Sequence, residues 1–327
     1  MGYGNYSHAA HEALTRGRAD LPAQQVFKQR SCHALMNPHG VKVRESRDSD
    51  EHPKTLSIAF ALDVTGSMGL IPQLLARDEL PRFMKILSDC QITDPQVLFL
   101  AVGDVTSDEA PLQVGQFEST AELIDQWLTW SYLEGGGGGQ NKESYELALY
   151  FLAEHTDMDC WAKRKKRAYL FMTGDEEPYP AVSKHQVETV IGDRLDDDIP
   201  VAAAVAAAQE AFDPFFLIPD LERRANCERT WRDLLGDHVI CMESPTDTCF
   251  VAAGIVAITE GVVKDVAGLA KLMETAGADH ERVAAIVRAL TPYAAALGRD
   301  GAPLPQLDTS DTSPSAGRSL WRRLFTK

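Results

Sequence analysis

The stretch FALDVTGSMG, residues 60–69, joins an apolar run to a group of polar side chains. The run ends at Asp63, and Thr65 and Ser67 follow within four residues. An apolar run of this length, bounded by a turn, is typical of a buried strand. Because side chains alternate along an extended chain, Asp63, Thr65 and Ser67 are expected to point the same way as the chain leaves the strand. Gly66 permits the tight turn between them.

Similar apolar runs recur along the chain and alternate with longer amphipathic stretches. The candidate strands are 56–62, 96–103, 112–117, 167–173, 214–219 and 238–243. Helix-like stretches lie near 70–89, 119–130, 143–155, 181–191, 200–211, 222–235 and 246–260. This alternation predicts an α/β, Rossmann-like fold with a doubly wound, mostly parallel six-stranded sheet and helices on both faces. The run 112–117 follows its neighbour after a short turn-rich link, which predicts an antiparallel edge strand.

Composition shifts along the chain predict its organisation. The first segment is polar and rich in histidine, two helical patterns follow the α/β region, and a stretch rich in Gly, Pro, Ser and Thr precedes the last residues. The predicted units are an N-terminal arm (1–54), an α/β domain (55–260), a C-terminal helical extension (261–298), a flexible linker (299–318) and a basic and apolar tail (319–327).

The overall composition excludes several functional classes. The 327 residues carry a formal net charge of −16, which argues against a general nucleic-acid binder. The six cysteines match no zinc-binding spacing. The first residues lack the apolar core of a signal peptide, and no run approaches the roughly 18 apolar residues of a membrane span. The sequence therefore predicts a cytoplasmic protein with reduced thiols and no membrane contact.

Polar side chains follow several of the candidate strands. Asp104 comes after the second candidate strand, Asp175 after the fourth, and Glu143 and Ser144 follow a run of five glycines. Ligands of open α/β sheets bind beyond the carboxyl ends of the strands. Ligands that are all oxygen favour a hard cation, so Mg²⁺ is expected, with Ca²⁺ or Mn²⁺ as alternatives.

The motif DVTGSM resembles the metal-ion-dependent adhesion site of the von Willebrand factor type A family. That site has the form D-x-S/T-x-S at the end of the first strand, and Asp63, Thr65 and Ser67 match it. Asp175 in FMTGDEEPY matches the family's second aspartate, displaced by one residue from the usual T-D-G order. The resemblance covers about residues 55–260 and implies a Mg²⁺ site on a Rossmann-like sheet.

The third loop departs from the family pattern. The family usually offers a threonine shortly after paired glycines, and GGGGGQNKESYELAL offers none. The matching place falls on Glu143 or Ser144. A bacterial subset of the family has an acidic residue at the end of the second strand, which Asp104 matches. The resemblance therefore implies a modified site with Asp104 and either Glu143 or Ser144 in place of the threonine.

The resemblance implies a protein-interaction module and not an enzyme. A carboxylate from a partner protein would complete the shell of the bound Mg²⁺, and bacterial relatives often belong to multi-protein systems. Two alternatives remain open. One is a metal-dependent phosphoester hydrolase that uses the same acidic side chains, and the other is a structural domain whose metal site is inactive.

The last residues, SLWRRLFTK, suggest a second interaction. Leu320, Trp321, Leu324 and Phe325 would form an apolar stripe if this tail were helical. A tethered apolar helix is a common docking peptide for a groove on a partner. A frayed chain end is the alternative interpretation.

Overall fold

In the computed structural model of the protein, a mostly parallel six-stranded sheet forms the centre of the molecule. The structure describes residues 4–18, 20–134 and 142–299, and of Ser67 and Asp78 the backbone alone. The tail residues Leu320, Trp321, Leu324 and Phe325 lie outside this range, so their predicted docking role stays a prediction. The strands are β1 (Leu56–Asp63), β2 (Pro95–Val102), β3 (Leu112–Val114), β4 (Ala168–Thr173), β5 (Phe212–Ile218) and β6 (Val239–Cys241).

The strand order is β6-β5-β4-β1-β2-β3, with β3 antiparallel to β2 and the other neighbours parallel. The order runs outward in both directions from β1, as it does in a doubly wound sheet. This arrangement confirms the predicted fold class and the antiparallel edge strand. That strand is three residues long and is shorter than the predicted 112–117.

The helices cover both faces of the sheet. Within the described residues, the helices of six or more residues are α1 (His8–Arg16), α2 (70–89), α3 (Ala121–Thr129), α4 (Tyr145–Glu154), α5 (Asp159–Arg164), α6 (Val201–Ala211), α7 (Glu228–Leu235), α8 (Thr248–Thr259), α9 (Val266–Thr275) and α10 (His280–Ala296). Helix α2 consists of α-helical segments on either side of a π-helical turn, Leu75–Glu79. The predicted helix at 181–191 is instead a short helix, Lys184–Gln186, followed by a π turn, Val187–Ile191.

Strand β1 separates two hydrophobic cores. All of its eight residues are buried, as expected of a central parallel strand. Ile58, Phe60 and Leu62 face the core formed with α2, α3, α8, α9 and α10. Ala59 and Ala61 face the core formed with α4, α6 and α7. The side chains that alternate along β1 therefore hold helices on both faces of the sheet.

The C-terminal helices belong to the first of these cores. Leu269 and Met273 of α9 and Leu290 of α10 are fully buried in it. Gly254 of α8 lies so close to α10 that an added Cβ would stand 2.6 Å from a methyl carbon of Leu290. The helical extension is thus packed into the same hydrophobic core as the sheet. Among the helices that the structure describes, none is long and apolar enough to cross a membrane.

The N-terminal arm packs against the edge and the base of the sheet. Its backbone carbonyl at Met36 accepts a hydrogen bond from Val114 N of β3 at 2.7 Å. Arg44 Nη2 donates to the carbonyl oxygen of Val114 at 3.0 Å. The short strand Arg44–Ser46 pairs in parallel with Thr156–Met158. The arm therefore engages both backbone hydrogen-bonding groups of Val114 in the edge strand.

Charged side chains at the amino ends of the strands form a set of ion pairs, here called the basal network (Arg47, Asp48, Asp157, Asp159, Lys163 and Arg164). Arg164 Nη1 lies 2.6 Å from Asp48 Oδ2, and Lys163 Nζ lies 2.7 Å from Asp159 Oδ2. Arg164 Nη2 also donates to the carbonyl oxygen of Thr55, just before β1, at 2.7 Å. Each of these carboxylates therefore has a cationic partner.

Candidate metal centre

The carboxyl ends of β1, β2 and β4 bring the predicted site residues to one edge of the sheet, here called the rim. Asp63 is the last residue of β1 and pairs in register with Val102, the last residue of β2. Leu62 pairs with Thr173 at the end of β4. Asp104 and Asp175 each lie two residues beyond these strand ends. The sequence therefore placed the three aspartates correctly at adjacent strand ends.

Asp63 is fully buried and holds the turn that follows β1. Its Oδ1 accepts hydrogen bonds from Thr65 N at 2.9 Å and from Thr65 Oγ1 at 2.7 Å. Gly66 follows with a φ of +39° and begins a 3₁₀ turn, Gly66–Gly69, that contains Ser67. Burial raises the pKa of the Asp63 carboxyl to about 7, against the lowering effect of its hydrogen bonds. The motif DVTGS thus forms a tight turn around a buried carboxylate.

Tyr145 is the second residue that donates a hydrogen bond to Asp63, and the sequence pattern did not indicate it. Its hydroxyl donates to Asp63 Oδ2 at 2.8 Å from the first turn of α4. A Cβ added to Gly174 would lie 1.8 Å from this hydroxyl oxygen. Glycine at this position therefore makes room for Tyr145. This close approach gives a physical reason for Gly174, which stands between Thr173 and Asp175 and so displaces the aspartate by one residue from the usual T-D-G order.

Glu143 and Ser144 reach the rim through a short strand pairing. Lys142–Glu143 pairs in parallel with Glu177–Pro178, just beyond β4. Ser144 Oγ accepts a hydrogen bond from Val105 N at 2.9 Å, so this hydroxyl ties α4 to the loop after β2. Glu143 is 3% exposed, and its Oε2 has no hydrogen-bond partner within the described part of the chain. Burial, reinforced by the negative charge of Asp63, raises the pKa of Glu143 to about 9.

The carboxylate of Asp104 accepts most of its hydrogen bonds from residues of its own loop. Its Oδ1 accepts from Thr106 N at 2.9 Å and from the Tyr179 hydroxyl at 2.8 Å. Its Oδ2 accepts from Thr106 Oγ1 at 2.6 Å and from Ser107 Oγ at 3.1 Å. Burial alone would raise the pKa of Asp104, but these hydrogen bonds outweigh it and hold the pKa below its usual value. Asp104 is therefore a charged carboxylate whose lone pairs are largely engaged.

Asp175 has a cationic partner that the sequence did not reveal. It is 5% exposed and forms an ion pair with Arg223, from the loop after β5. The Arg223 side chain is 41% exposed, so it reaches the rim from the solvent side. The neighbouring Glu176 has a pKa raised to about 7, first by burial and then by the charge of Asp175. The residues between Asp175 and Arg223 give no local pattern that predicts this pair.

Glu146 adds a further buried carboxyl behind the rim. It is fully buried in α4, and its Oε1 finds no hydrogen-bond partner among the residues described. Burial raises its pKa to about 8. A charged residue at a core-facing helix position could have been found in the sequence, because Glu146 lies within the otherwise apolar pattern of α4.

The side chains at the rim fit a hard cation by their chemistry. They offer carboxylate and hydroxyl oxygens, which Mg²⁺ prefers. They also include a buried oxygen of Glu143 to which none of the described residues donates a hydrogen bond. Within the described ranges, no three His, Cys, Asp or Glu side chains already stand together as a metal cage. Hydroxyl ligands such as Thr65 would therefore have to complete the set.

No protein-family model matches this chain. The chain is similar to three kinds of solved structure. The pilus adhesin SpaC from Lactobacillus rhamnosus GG, in its open conformation, has 10% sequence identity and a TM-score of 0.43, and the match covers 69% of this chain and 31% of that chain. Proximal thread matrix protein 1 from the mussel byssus has 10% identity and a TM-score of 0.39, with 64% of this chain and 47% of that chain covered. A von Willebrand factor type A protein from Catenulispora acidiphila has 14% identity and a TM-score of 0.37, with 69% of this chain and 49% of that chain covered. The chain thus spans between about a third and a half of the length of these structures. The fold assignment rests on the strand order described above.

Proposed function

We propose that this protein binds a protein partner through a divalent cation held at the rim, in the manner of von Willebrand factor type A domains. The observation that carries the proposal is Glu143. It is a buried carboxyl beside the buried Asp63, and one of its oxygens has no hydrogen-bond donor among the residues that the structure describes. Ordinary folding gives no reason to place two such groups together, because each raises the cost of ionising the other.

A cation would remove this cost. Burying a carboxylate without a counter-charge is strongly unfavourable, and proteins avoid it by protonation or by pairing. Asp63, Thr65, Glu143 and Asp175 are the residues that would hold the ion, with Ser67 assigned from the sequence motif alone. Asp104 and Ser144 would support the wall of the site through the loop after β2. Mg²⁺ is the preferred ion because all of the donors are oxygens.

The bound ion would supply an open coordination position for a carboxylate of the partner protein. The chain's own residues make this binding dependent on the metal. Without a cation, Asp104 and Asp175 present negative charge at the rim and repel an acidic side chain. Arg223 offsets part of that charge through its pair with Asp175. Because Arg223 is partly exposed, it can leave Asp175 for solvent when a metal ion takes its place.

Calorimetric titration of Mg²⁺ into chelator-treated protein tests the metal site. We expect binding by the wild type and at least a tenfold loss of affinity for Asp63→Asn, because that substitution removes a buried ligand charge. Glu188→Gln is the matched control, since Glu188 is 57% exposed and lies outside the rim. Its affinity should equal that of the wild type.

An affinity pull-down, with Mg²⁺ and with chelator, then tests the partner. A partner that is captured by the wild type with Mg²⁺, and is lost with chelator or Asp63→Asn, supports the proposal. If Mg²⁺, Mn²⁺ and Ca²⁺ all give no heat and no change in Tm, the proposed metal site is wrong and the rim is structural.

A further inference from the structure

A second candidate site lies apart from the rim, in a cavity between α1, α2 and the end of α9. Its volume is about 560 Å³, within the range of about 300–1,000 Å³ that is typical of small-molecule pockets. The described residues of its lining are all different from those of the rim. The arm contributes one wall through α1, and the middle of α2 contributes the other.

The charge of this cavity is opposite to that of the chain. Among the side chains that the structure describes, four basic ones line it, namely Arg16, Arg77, Arg82 and Lys85, and one acidic one, Glu12. The whole chain, by contrast, has 48 acidic and 32 basic residues. A cavity with this lining in an acidic protein raises the local concentration of anions.

Acidic groups near the cavity hold two of these cations in place. Arg82 Nη1 lies 2.6 Å from Glu79 Oε1, and Lys85 Nζ lies 2.5 Å from Asp89 Oδ2, both along α2. Arg16 is held much less tightly, because its side chain is 79% exposed and Glu12 lies 4.0 Å away. Arg77 is also exposed. Arg16 on α1 and Arg77 on α2 are therefore the cations most available to a ligand.

The two walls are clamped together by Arg18. Its Nε donates to the carbonyl oxygen of Ala76 at 2.6 Å, and its Nη1 donates to Asp125 Oδ2 at 2.7 Å. Both side chains of this ion pair are largely buried, at 12% and 9% exposure. Ala76 and Arg77 belong to the π-helical turn of α2, and single π turns inside α-helices occur frequently at functional sites. The cavity is thus built before a ligand arrives.

We propose that this cavity binds a small polyanion of the oligophosphate class. Guanidinium groups bind phosphate oxygens through paired hydrogen bonds, and three of the four cations are arginines. The described lining contains no Phe, Tyr or Trp, so it offers no stacking surface for a nucleobase. A compact ligand with two or more phosphate groups matches both the charge and the volume.

Calorimetric titration of tripolyphosphate in metal-free buffer tests this proposal independently of the rim. We expect the wild type to bind and the affinity to fall as NaCl rises, because exposed charges are screened by salt. The double variant Arg16→Ala/Arg77→Ala should bind at least tenfold more weakly. Arg194→Ala, which removes an 89% exposed arginine elsewhere, is the matched control and should change the affinity less than twofold.

Two further measurements make each outcome decisive. Circular dichroism melts without ligand should give the double variant the Tm of the wild type, and Arg77→Gln alone should still weaken binding if the double variant is unstable. Equal affinity for citrate and tripolyphosphate would overturn the oligophosphate class. Absence of wild-type binding at millimolar tripolyphosphate, or full affinity in both Arg77 variants, would overturn the site itself.

Discussion

Asp48 in the basal network and the buried carboxyls Asp63 and Glu143 at the rim, which lie at opposite ends of the sheet, are in opposite electrostatic states. In the basal network Asp48 is paired with Arg164, and although burial opposes it, the hydrogen bonds from Arg164 and Thr55 lower its pKa to about 2. At the rim, burial raises the pKa of Asp63 to about 7 and that of Glu143 to about 9. The paired carboxylate of Asp48 therefore stabilises the basal end of the domain. The buried carboxyls of Asp63 and Glu143 destabilise the rim when they ionise without a cation. Carboxyls that are buried without cations are candidates for function, whereas paired ones stabilise the fold.

The largest expected effect is at Gly174, which makes room for Tyr145. The neutral hydroxyl of Tyr145 donates to Asp63 at the rim, whereas the cation Arg164 pairs with Asp48 in the basal network. Gly174→Ala should destabilise the protein by about 3 kcal/mol, because its Cβ would overlap the hydroxyl of the buried Tyr145. Urea denaturation measures this change. Gly69→Ala is the control, since its φ is −55° and its Cβ would meet the nearest atom at 3.7 Å. Tyr145→Phe should restore part of the loss, and a Gly174→Ala variant as stable as the wild type would contradict the described packing.

A smaller loss is expected when the basal network is broken. Arg164→Ala removes the pair with Asp48 and a hydrogen bond to the Thr55 carbonyl. We expect the free energy of unfolding to fall by about 1–2 kcal/mol, since both side chains are only partly buried. Arg167→Ala, in the same basic run, is the control because Arg167 is 53% exposed and lies 3.9 Å from Asp213. Equal effects of the two substitutions would show that the network has no special role.

At the rim, removal of a buried carboxyl should raise the free energy of unfolding instead of lowering it. The pKa of Glu143 is raised, so in metal-free protein its contribution to stability is present below its unfolded pKa and is lost as the pH rises toward about 9. Glu143→Gln should therefore stabilise the metal-free protein at pH 8 by on the order of 1 kcal/mol. Asp159→Asn, in the basal network, should destabilise it under the same conditions. Urea denaturation in chelator at pH 5 and pH 8 checks both, and a loss of stability in Glu143→Gln would contradict the contrast.

The smallest effect is expected at Arg223, which competes with a metal for Asp175 under the proposed function. Arg223→Ala should raise the affinity for Mg²⁺ by about threefold, or roughly 0.6 kcal/mol. Calorimetric titration at constant ionic strength measures this change. The neighbouring Arg224, which is 54% exposed and lies 3.9 Å from Glu228, is the control. Weaker Mg²⁺ binding in Arg223→Ala would indicate that the guanidinium supports the site instead of competing for it.

The sheet could be predicted from the sequence, because buried parallel strands appear as short apolar runs and the helices between them are amphipathic. The aspartates at the strand ends could also be found, since each lies within a few residues of its strand. Tyr145, Gly174 and Arg223 could not. Tyr145 reaches Asp63 across 82 residues of sequence, and Arg223 reaches Asp175 across 48. Such contacts depend on how separate loops meet above the sheet, and no local pattern records them.

The contact between the arm and β3 has a consequence for self-association. An edge strand offers unpaired N–H and C=O groups on which another chain can add a strand. Here both backbone groups of Val114 are already engaged, the N–H by Met36 and the carbonyl by Arg44. The arm thus acts as a cover that keeps this edge from templating fibrils or strand-exchanged dimers. A chain that lacks residues 1–44 would lose both contacts, and we expect it to aggregate through β3.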